Sequence, residues 1–207
     1  MMENENRIEK SELNEILEYH QKWLETGGTH GTRADFNGRN LSRHYLQQAN
    51  FERASLKGAI LEQTNLRTAN FKEANLQSAK ITNSSLQWAI FRNADLAGAC
   101  LEGSGLQYAD FSGSDLSRAK MSHAFFHNAY FLKTQLKNAD LRNASFRFTE
   151  MNEADLSSAN LTKAVIAKTK MIGADLSQAN LANTQNAMSD FKGSNFSNAC
   201  FNRANLF

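Results

Sequence analysis

The sequence predicts an all-β fold in which the chain winds into a four-sided solenoid, and three observations carry that expectation. From Phe36 onward every fifth residue is large and apolar, through Leu41, Leu46, Phe51 and Leu56 to Leu206. Of the 35 positions in that register 34 are Leu, Phe, Ile or Met, with Asn186 the exception, so no insertion shifts the frame. Two residues earlier the side chain is Ala, Ser or Thr at 33 of 35 places, Arg39 and His44 excepted, and the residue between is Asp or Asn 17 times. Finally, the 207 residues include 0 prolines, as suits stacked coils that each donate N–H groups to the next.

A period of five fits neither the helical 3.6 nor the strand period of 2. It suits a chain that turns a corner every five residues and points one large and one small side chain inward on each side. Small residues at the second inward position follow from close packing in a narrow tube. Asp and Asn at corners bond neighbouring backbone groups and tolerate unusual dihedrals. Taking every twentieth residue gives Phe51, Phe71, Phe91, Phe111, Phe131, Met151, Met171 and Phe191, whereas the series from Phe36 is mostly Leu. Twenty residues therefore make one coil of four sides, and like residues stack on like.

This tandem Ala-(Asp/Asn)-(Leu/Phe)-x-x pattern resembles the pentapeptide-repeat proteins. The resemblance implies a right-handed quadrilateral β-helix over residues 34–207, of about 8–9 coils and roughly 40 Å long at the usual strand spacing.

Residues 1–33 lie outside the repeat. Leu13, Ile16, Leu17, His20 and Leu24 fall on one helical face with Trp23 beside it, which predicts an α-helical cap over about 11–25. Ser11 is the expected N-cap and Gly27-Gly28 the stop. Such a helix covers the core and unpaired backbone that the first coil exposes. At the other end the sequence closes within a repeat. Either that end pairs with a second copy through Phe201, Leu206 and Phe207, as the resemblance implies, since some pentapeptide-repeat proteins dimerise end to end near the C-terminus, or Asn198, Asn202 and Arg203 blunt the edge, or the chain is a fragment of something longer.

The chemistry of the chain points away from catalysis. A filled tube leaves no cleft, and no nucleophile–base arrangement or phosphate loop is present, so no enzyme, cofactor or metal site is expected. His123 and His127 have a metal-like spacing for a helix, but here they fall on different sides of the coil. Cys100 and Cys200 share one column five coils apart, ~24 Å at strand spacing, which is beyond disulfide reach. No apolar run approaches a membrane span, and the opening residues hold no apolar signal stretch, so a cytoplasmic protein without a membrane partner is expected.

Charge separates the binding functions. Residues 31–207 carry 20 Lys and Arg against 14 Asp and Glu, and residues 1–30 carry 3 against 7. Lys163, Lys168 and Lys170 cluster without a strong basic field around them, which argues against nucleic acid. The resemblance also implies an alternative function, since certain pentapeptide-repeat proteins imitate DNA and protect a type II topoisomerase (gyrase) from inhibitors. A mildly basic rod without interrupting loops departs from that group.

Apolar residues at outward positions are the informative ones. On the side centred on Leu86, Leu106, Phe126 and Phe146, the second outward position carries Trp88, Tyr108, Asn128 and Phe148, with Met188 further along. Arg67, His127 and Arg147 flank this column, and Phe125, Tyr130, Ile90 and Leu132 adjoin it. Trp, Tyr and Arg together are the composition of interface hot spots. The favoured expectation is a non-enzymatic, rigid scaffolding rod that presents Trp88, Tyr108, Phe148, Arg147, His127, Tyr130 and Phe125 to a protein partner. A purely structural ladder packed over its own neighbours is the competing reading. The inward amide at Asn186 predicts a distorted turn or a bound water around 184–189, because an unbonded buried amide costs stability.

Overall fold

A computed structural model describes residues 7–205 of the chain. Throughout the repeat, residue n forms a parallel bridge with residue n+20, from Asp35 with Ser55 to Gln185 with Asn205. Four five-residue sides thus close one coil, and each coil is the β-partner of the next. The first side is centred on the Phe36–Leu56–Leu76 series and the second on Leu41–Leu61–Ile81. The third is centred on Leu46–Leu66–Leu86 and the fourth on Phe51–Phe71–Phe91.

Within a side, the residue after the centre and the one following it make a β-turn. It is closed by a bond such as Ala54 N–H to the Phe51 carbonyl at 2.9 Å. At every fifth position from Gly38 to Arg203 the backbone is left-handed, with φ between +53° and +71°. A positive φ at only the third turn residue is the type II arrangement. Where Asp or Asn precedes the centre, its Oδ1 accepts the N–H of the first turn residue. Asp110 accepts from Ser112 at 2.9 Å in this way, and Asp155 from Ser157 at 2.8 Å. The other N–H groups serve the ladder, as Phe51 to Asn70, Arg53 to Lys72 and Asn70 to Ala49. A proline at four of the five positions would delete a turn or ladder bond, and at the fifth an Asx bond.

The tube is filled by columns of like residues. Phe51, Phe71, Phe91, Phe111 and Phe131 stack with ring centroids 4.7–5.0 Å apart. Ser and Thr substitute for the small inward Ala because the preceding coil offers them an acceptor. Ser84 donates to the Leu61 carbonyl at 2.7 Å and Thr134 to that of Phe111 at 2.8 Å. Both hydroxyls are buried yet satisfied.

Helix α1 spans Lys10–Glu25. Its N-cap is Glu9 rather than the expected Ser11, and no side chain caps it. The first helical bond, Leu13 N–H to the Glu9 carbonyl at 2.9 Å, places Ser11 inside the first turn. Before the helix, Arg7 bridges Asn40 and Ile8 donates to the Asn40 carbonyl at 2.9 Å, so a short extended segment adds to the first coil. Ile8 and Leu13 are buried in the same core as the coils, and Ile16 and Leu17 pack against it. Leu24 is half-buried and not part of that cluster. His20 is fully buried, and its Nδ1 accepts the Ala34 N–H at 3.1 Å. Gly27 and Gly28, both with positive φ, end the helix, and the Gly28 N–H reaches the Trp23 carbonyl at 2.8 Å. Gly31 is dictated by contact as well as by its φ of +79°. A Cβ there would lie 2.2 Å from the Tyr19 carbonyl oxygen.

Asn186 departs from its expected surroundings. Its turn is regular, with Met188 at φ 59° and the Lys168 N–H on the Ala187 carbonyl at 2.9 Å. The side chain points inward, 2% exposed, and Nδ2 donates to Thr184 Oγ1 at 2.9 Å. The backbone ladder on both sides holds the turn, and Asn occupies a Leu-sized site without displacing it. The strain appears instead as a buried Oδ1 that has no partner among the described residues.

Candidate interaction face

The third side and the corner after it gather the residues singled out in the sequence. Trp88, Tyr108, Asn128, Phe148, Lys168 and Met188 are successive left-handed turn residues of one column, each 20 residues from the last. This stacks their side chains along the rod. The Trp88 and Tyr108 rings lie 5.1 Å apart with planes 6° from parallel. The Arg67 guanidinium covers the other face of Trp88 at 5.6 Å, and the Lys168 ammonium covers Phe148 at 5.1 Å. Because these partners are stacked one coil apart, the rings overlap face to face along the rod.

Phe125 and His127 flank the third-side centre Phe126 and meet edge to face at 6.3 Å. His127 Nε2 is 2.8 Å from Ser145 Oγ. Burial, and then the positive charge of Arg147, hold this imidazole below its ordinary pKa, so it is neutral at pH 7. Gln87 and Gln107 reach across Gly105, where a Cβ would lie 2.7 Å from Gln87 Nε2. Their Oε1 atoms are shielded from solvent without a hydrogen-bond partner among the described residues.

Around the corner, Tyr130 and Leu132 of the fourth side join Arg92, Asp110, Ser112, Glu150 and Asn152 in lining a shallow depression of about 260 Å³. Burial pushes the Asp110 carboxyl up, but bonds from Ser112 and the Arg92 guanidinium outweigh it and hold the pKa below the ordinary value. Arg92 Nε lies 2.5 Å from Asp110 Oδ2.

Apart from Tyr19 on α1, every large apolar side chain exposed among the described residues lies on the third side, its following corner or the fourth side. The structure thus brings Trp88, Tyr108, Phe125, His127, Tyr130, Arg147 and Phe148 to one edge of the rod. Two features escaped the sequence reading. Ile172, 38% exposed, extends the Leu132 column, and 20-residue columns drawn for the fourth side would have found it. The outward positions of the third side and its corner, from Tyr45 to Met188, also contain no Asp or Glu at all.

At the far end Phe201 is half-buried, 5.3 Å from Phe196, while Leu206 and Phe207 lie outside the described residues. His123 lies at a second-side corner, away from His127, and both cysteines are free. Among the described residues no three His, Cys, Asp or Glu side chains are grouped to hold a metal ion. No helix among them is long and apolar enough to cross a membrane.

A family model describing a pentapeptide repeat region matches residues 32–111. A second, describing pentapeptide repeats in 8 copies, matches residues 109–147, 139–178 and 169–206. The chain belongs to the pentapeptide-repeat family. This pentapeptide-repeat protein is similar in structure to full-length QnrB1, a plasmid-mediated fluoroquinolone resistance protein. The TM-score is 0.59 at 19% identity, over 80% of this chain and 92% of QnrB1. HetL, a pentapeptide-repeat protein involved in heterocyst differentiation regulation in Nostoc sp. strain PCC 7120, matches at 24% identity. That match covers 97% of this chain and 95% of HetL, with a TM-score of 0.37. A thylakoid-lumen pentapeptide-repeat protein of Arabidopsis thaliana is 34% identical over 53% of this chain and 66% of its own, with a TM-score of 0.28. At these identities the likeness to QnrB1 is one of solenoid fold. No curated protein matches the chain.

Proposed function

We propose that this protein is a non-enzymatic, rigid rod that binds a protein partner through the edge between its third and fourth sides. One observation carries the reading: the exposed large apolar side chains of the rod collect on that edge, and the first and second sides have none among the described residues. Trp88, Tyr108, Phe125, Tyr130 and Phe148 supply the apolar area, and Arg147 and His127 supply polar contacts beside it. Concentrated aromatic and Arg surface of this kind marks a binding hot spot. A homodimer through the C-terminal coil belongs to the same proposal. Phe191, Phe196 and Phe201 are only partly covered, whereas earlier centres such as Phe111 are fully buried. Sedimentation of the full chain tests it, and a monomer at all concentrations removes it.

The partner site is tested by affinity capture with the wild type beside a Trp88→Glu/Tyr108→Glu variant. The expected result is a partner held by the wild type and lost by the variant, with β-sheet circular dichroism unchanged. Collapse of that signal would show that the two rings serve the fold.

The alternative function, a DNA-mimicking protector of a type II topoisomerase, has one observation in its favour. Asp95, Asp115, Asp155 and Asp175 share a column on the first side. Gln135 interrupts that column, and each of the four carboxylates accepts a backbone N–H in its own turn. Such a short stripe is a weak copy of a duplex, whose charge is continuous. Supercoiling by a topoisomerase in the presence of a fluoroquinolone separates the readings. Protection that is abolished by Asp115→Lys and unchanged by Trp88→Glu/Tyr108→Glu would put the alternative first.

A further inference from the structure

The corner column is a stack with one ring missing. In order along the rod it runs Arg67, Trp88, Tyr108, Asn128, Phe148 and Lys168, counting Arg67 as the cation over Trp88. Trp88 is covered on both faces, by Arg67 and by Tyr108. Phe148 is covered by Lys168 on the face away from Asn128. The two faces left without a ring or cation among the described residues, one of Tyr108 and one of Phe148, therefore look toward each other across Asn128. Two coil steps separate them, about 10 Å at the usual strand spacing. A planar ring placed midway would lie ~5 Å from each, close to the 4.7–5.0 Å repeat of the Phe ladder inside the same rod. Asn128 does not fill that space. Its side chain ends well short of the ring tips of its neighbours, and it makes no side-chain hydrogen bond to a described residue. Its amide is a floor with a free donor and acceptor.

From this geometry we propose that the Tyr108–Asn128–Phe148 slot is a recognition pocket for one aromatic side chain of an acidic protein segment. The proposal rests on the reading that this edge binds a protein. The aromatic requirement comes from the spacing, because an inserted ring completes the stack from Arg67 to Lys168. The acidic requirement comes from charge. The outward positions of the third side and its corner lack any carboxylate and carry Arg67, Arg147 and Lys168, so carboxylates on that flank of the inserted ring meet Arg147 and Lys168, while the two carboxylates at the next corner, Asp110 and Glu150, are already paired with Arg92 and Lys170. A nucleobase strand is disfavoured, since such ligands need a row of exposed ring faces, and here Trp88 is covered on both faces and a single gap is left in one short column. The fourth-side depression lies at the same height, with Tyr130 two residues after Asn128, and it receives the chain on its way out of the slot.

The test uses the full chain and a synthetic probe, an acetylated and amidated Asp-Asp-Trp-Asp-Asp peptide, with the Leu-centred version as reference. Binding is followed by NMR through the ring protons of Tyr108 and Phe148. The expected result is ring-current shifts of both residues, with the Leu peptide weaker by about tenfold or more. Asn128→Phe closes the slot with a ring of the protein's own. The corner already holds aromatic residues at the same φ, 62° for Tyr108 and 59° for Phe148. It is expected to weaken the Trp peptide by about tenfold, while Asn128→Gly, which leaves the slot open, keeps it. If Asn128→Phe does not fold, Phe148→Ala removes one wall and the same loss is expected.

Binding unaffected by these variants overturns the slot and leaves the protein-binding edge standing on its Trp88→Glu/Tyr108→Glu test. Equal affinity for the Leu peptide, or no shift at millimolar peptide, overturns it as well. Tighter, Asn128-dependent binding of an oligothymidylate would overturn the assignment of a protein ligand.

Discussion

Replacing Asn186 by Leu should stabilise the rod, and the structure sets the size of the effect. Asn186 fills a position that is Leu, Phe, Ile or Met everywhere else in the register, and it is 2% exposed with an Oδ1 that has no partner among the described residues. Relieving a buried unsatisfied acceptor is worth about 1–3 kcal/mol. Burying a Leu side chain in its place adds about 1.5–3 kcal/mol. Against this stands one lost bond, Nδ2 to Thr184 Oγ1, at about 1 kcal/mol. Thr184 itself stays satisfied, because its hydroxyl donates to the Leu181 carbonyl at 2.7 Å. The expected net gain is about 3 kcal/mol, or roughly 6–12 °C in Tm for a chain of this size. Denaturation followed by circular dichroism measures the total. Amide exchange of the coil containing Gln185 and Ala187 shows whether the gain is local, as nearest-neighbour coupling in a solenoid requires. An Asn186→Ala control separates the causes, since it relieves the orphan oxygen without filling the space. A neutral or destabilised Asn186→Leu with unchanged β signal would refute the reasoning, because it would mean that the amide is fully bonded in solution.

Gly31→Ala should loosen the junction between α1 and the first coil by about 2 kcal/mol, because its Cβ would meet the Tyr19 carbonyl oxygen and the Trp23 backbone nitrogen. Faster amide exchange confined to α1 is the readout. Stability should also fall as pH drops below 6.5. Burial is the foremost cause that lowers the pKa of His20, His44 and His127 from that value. The unfolded chain therefore takes up protons that the folded chain resists. The contribution is whole above 6.5 and shrinks toward the lowered folded values. Chemical denaturation at pH 7.5 and at pH 5 checks it, and His20→Gln/His44→Gln should flatten the slope. Thr134→Val removes a buried hydroxyl from the Phe111 carbonyl and should cost about 1 kcal/mol, measurable as a lower denaturation midpoint.

Much of this architecture was legible because the physics repeats. One inward Leu or Phe in five fixes the side, the Phe51-to-Phe191 series fixes four sides per coil, and Asp or Asn before the centre announces the Asx bond that holds each turn. What was not legible depends on contacts that do not repeat. The bridge from Arg7 and Ile8 to Asn40 joins two short segments with no pattern between them. Ser11 looks like a cap by residue type, but the N-cap lies two residues earlier, at a Glu9 that makes no capping bond. The proposed interaction edge was half visible. Columns placed Trp88, Tyr108 and Phe148 together, whereas the direction in which their rings lie, and hence the gap over Asn128, needed coordinates.

That edge is best explained by something outside the chain. Conformation does not select its residues, since a left-handed corner favours Gly or Asn and holds a bulky side chain at a cost of about 1 kcal/mol or more. Burial does not select them either, for Trp88, Tyr108 and Phe148 remain 47%, 45% and 52% exposed. Stacking between Trp88 and Tyr108 returns about 1 kcal/mol, but Met188 in the same column is 79% exposed with nothing comparable. All four bulky apolar corner residues nevertheless fall on the one corner, out of four, that borders the carboxylate-free side. Asn128, the residue a left-handed corner prefers, sits where it interrupts the stack and opens the slot. A ladder built only to stiffen the rod would be continuous there.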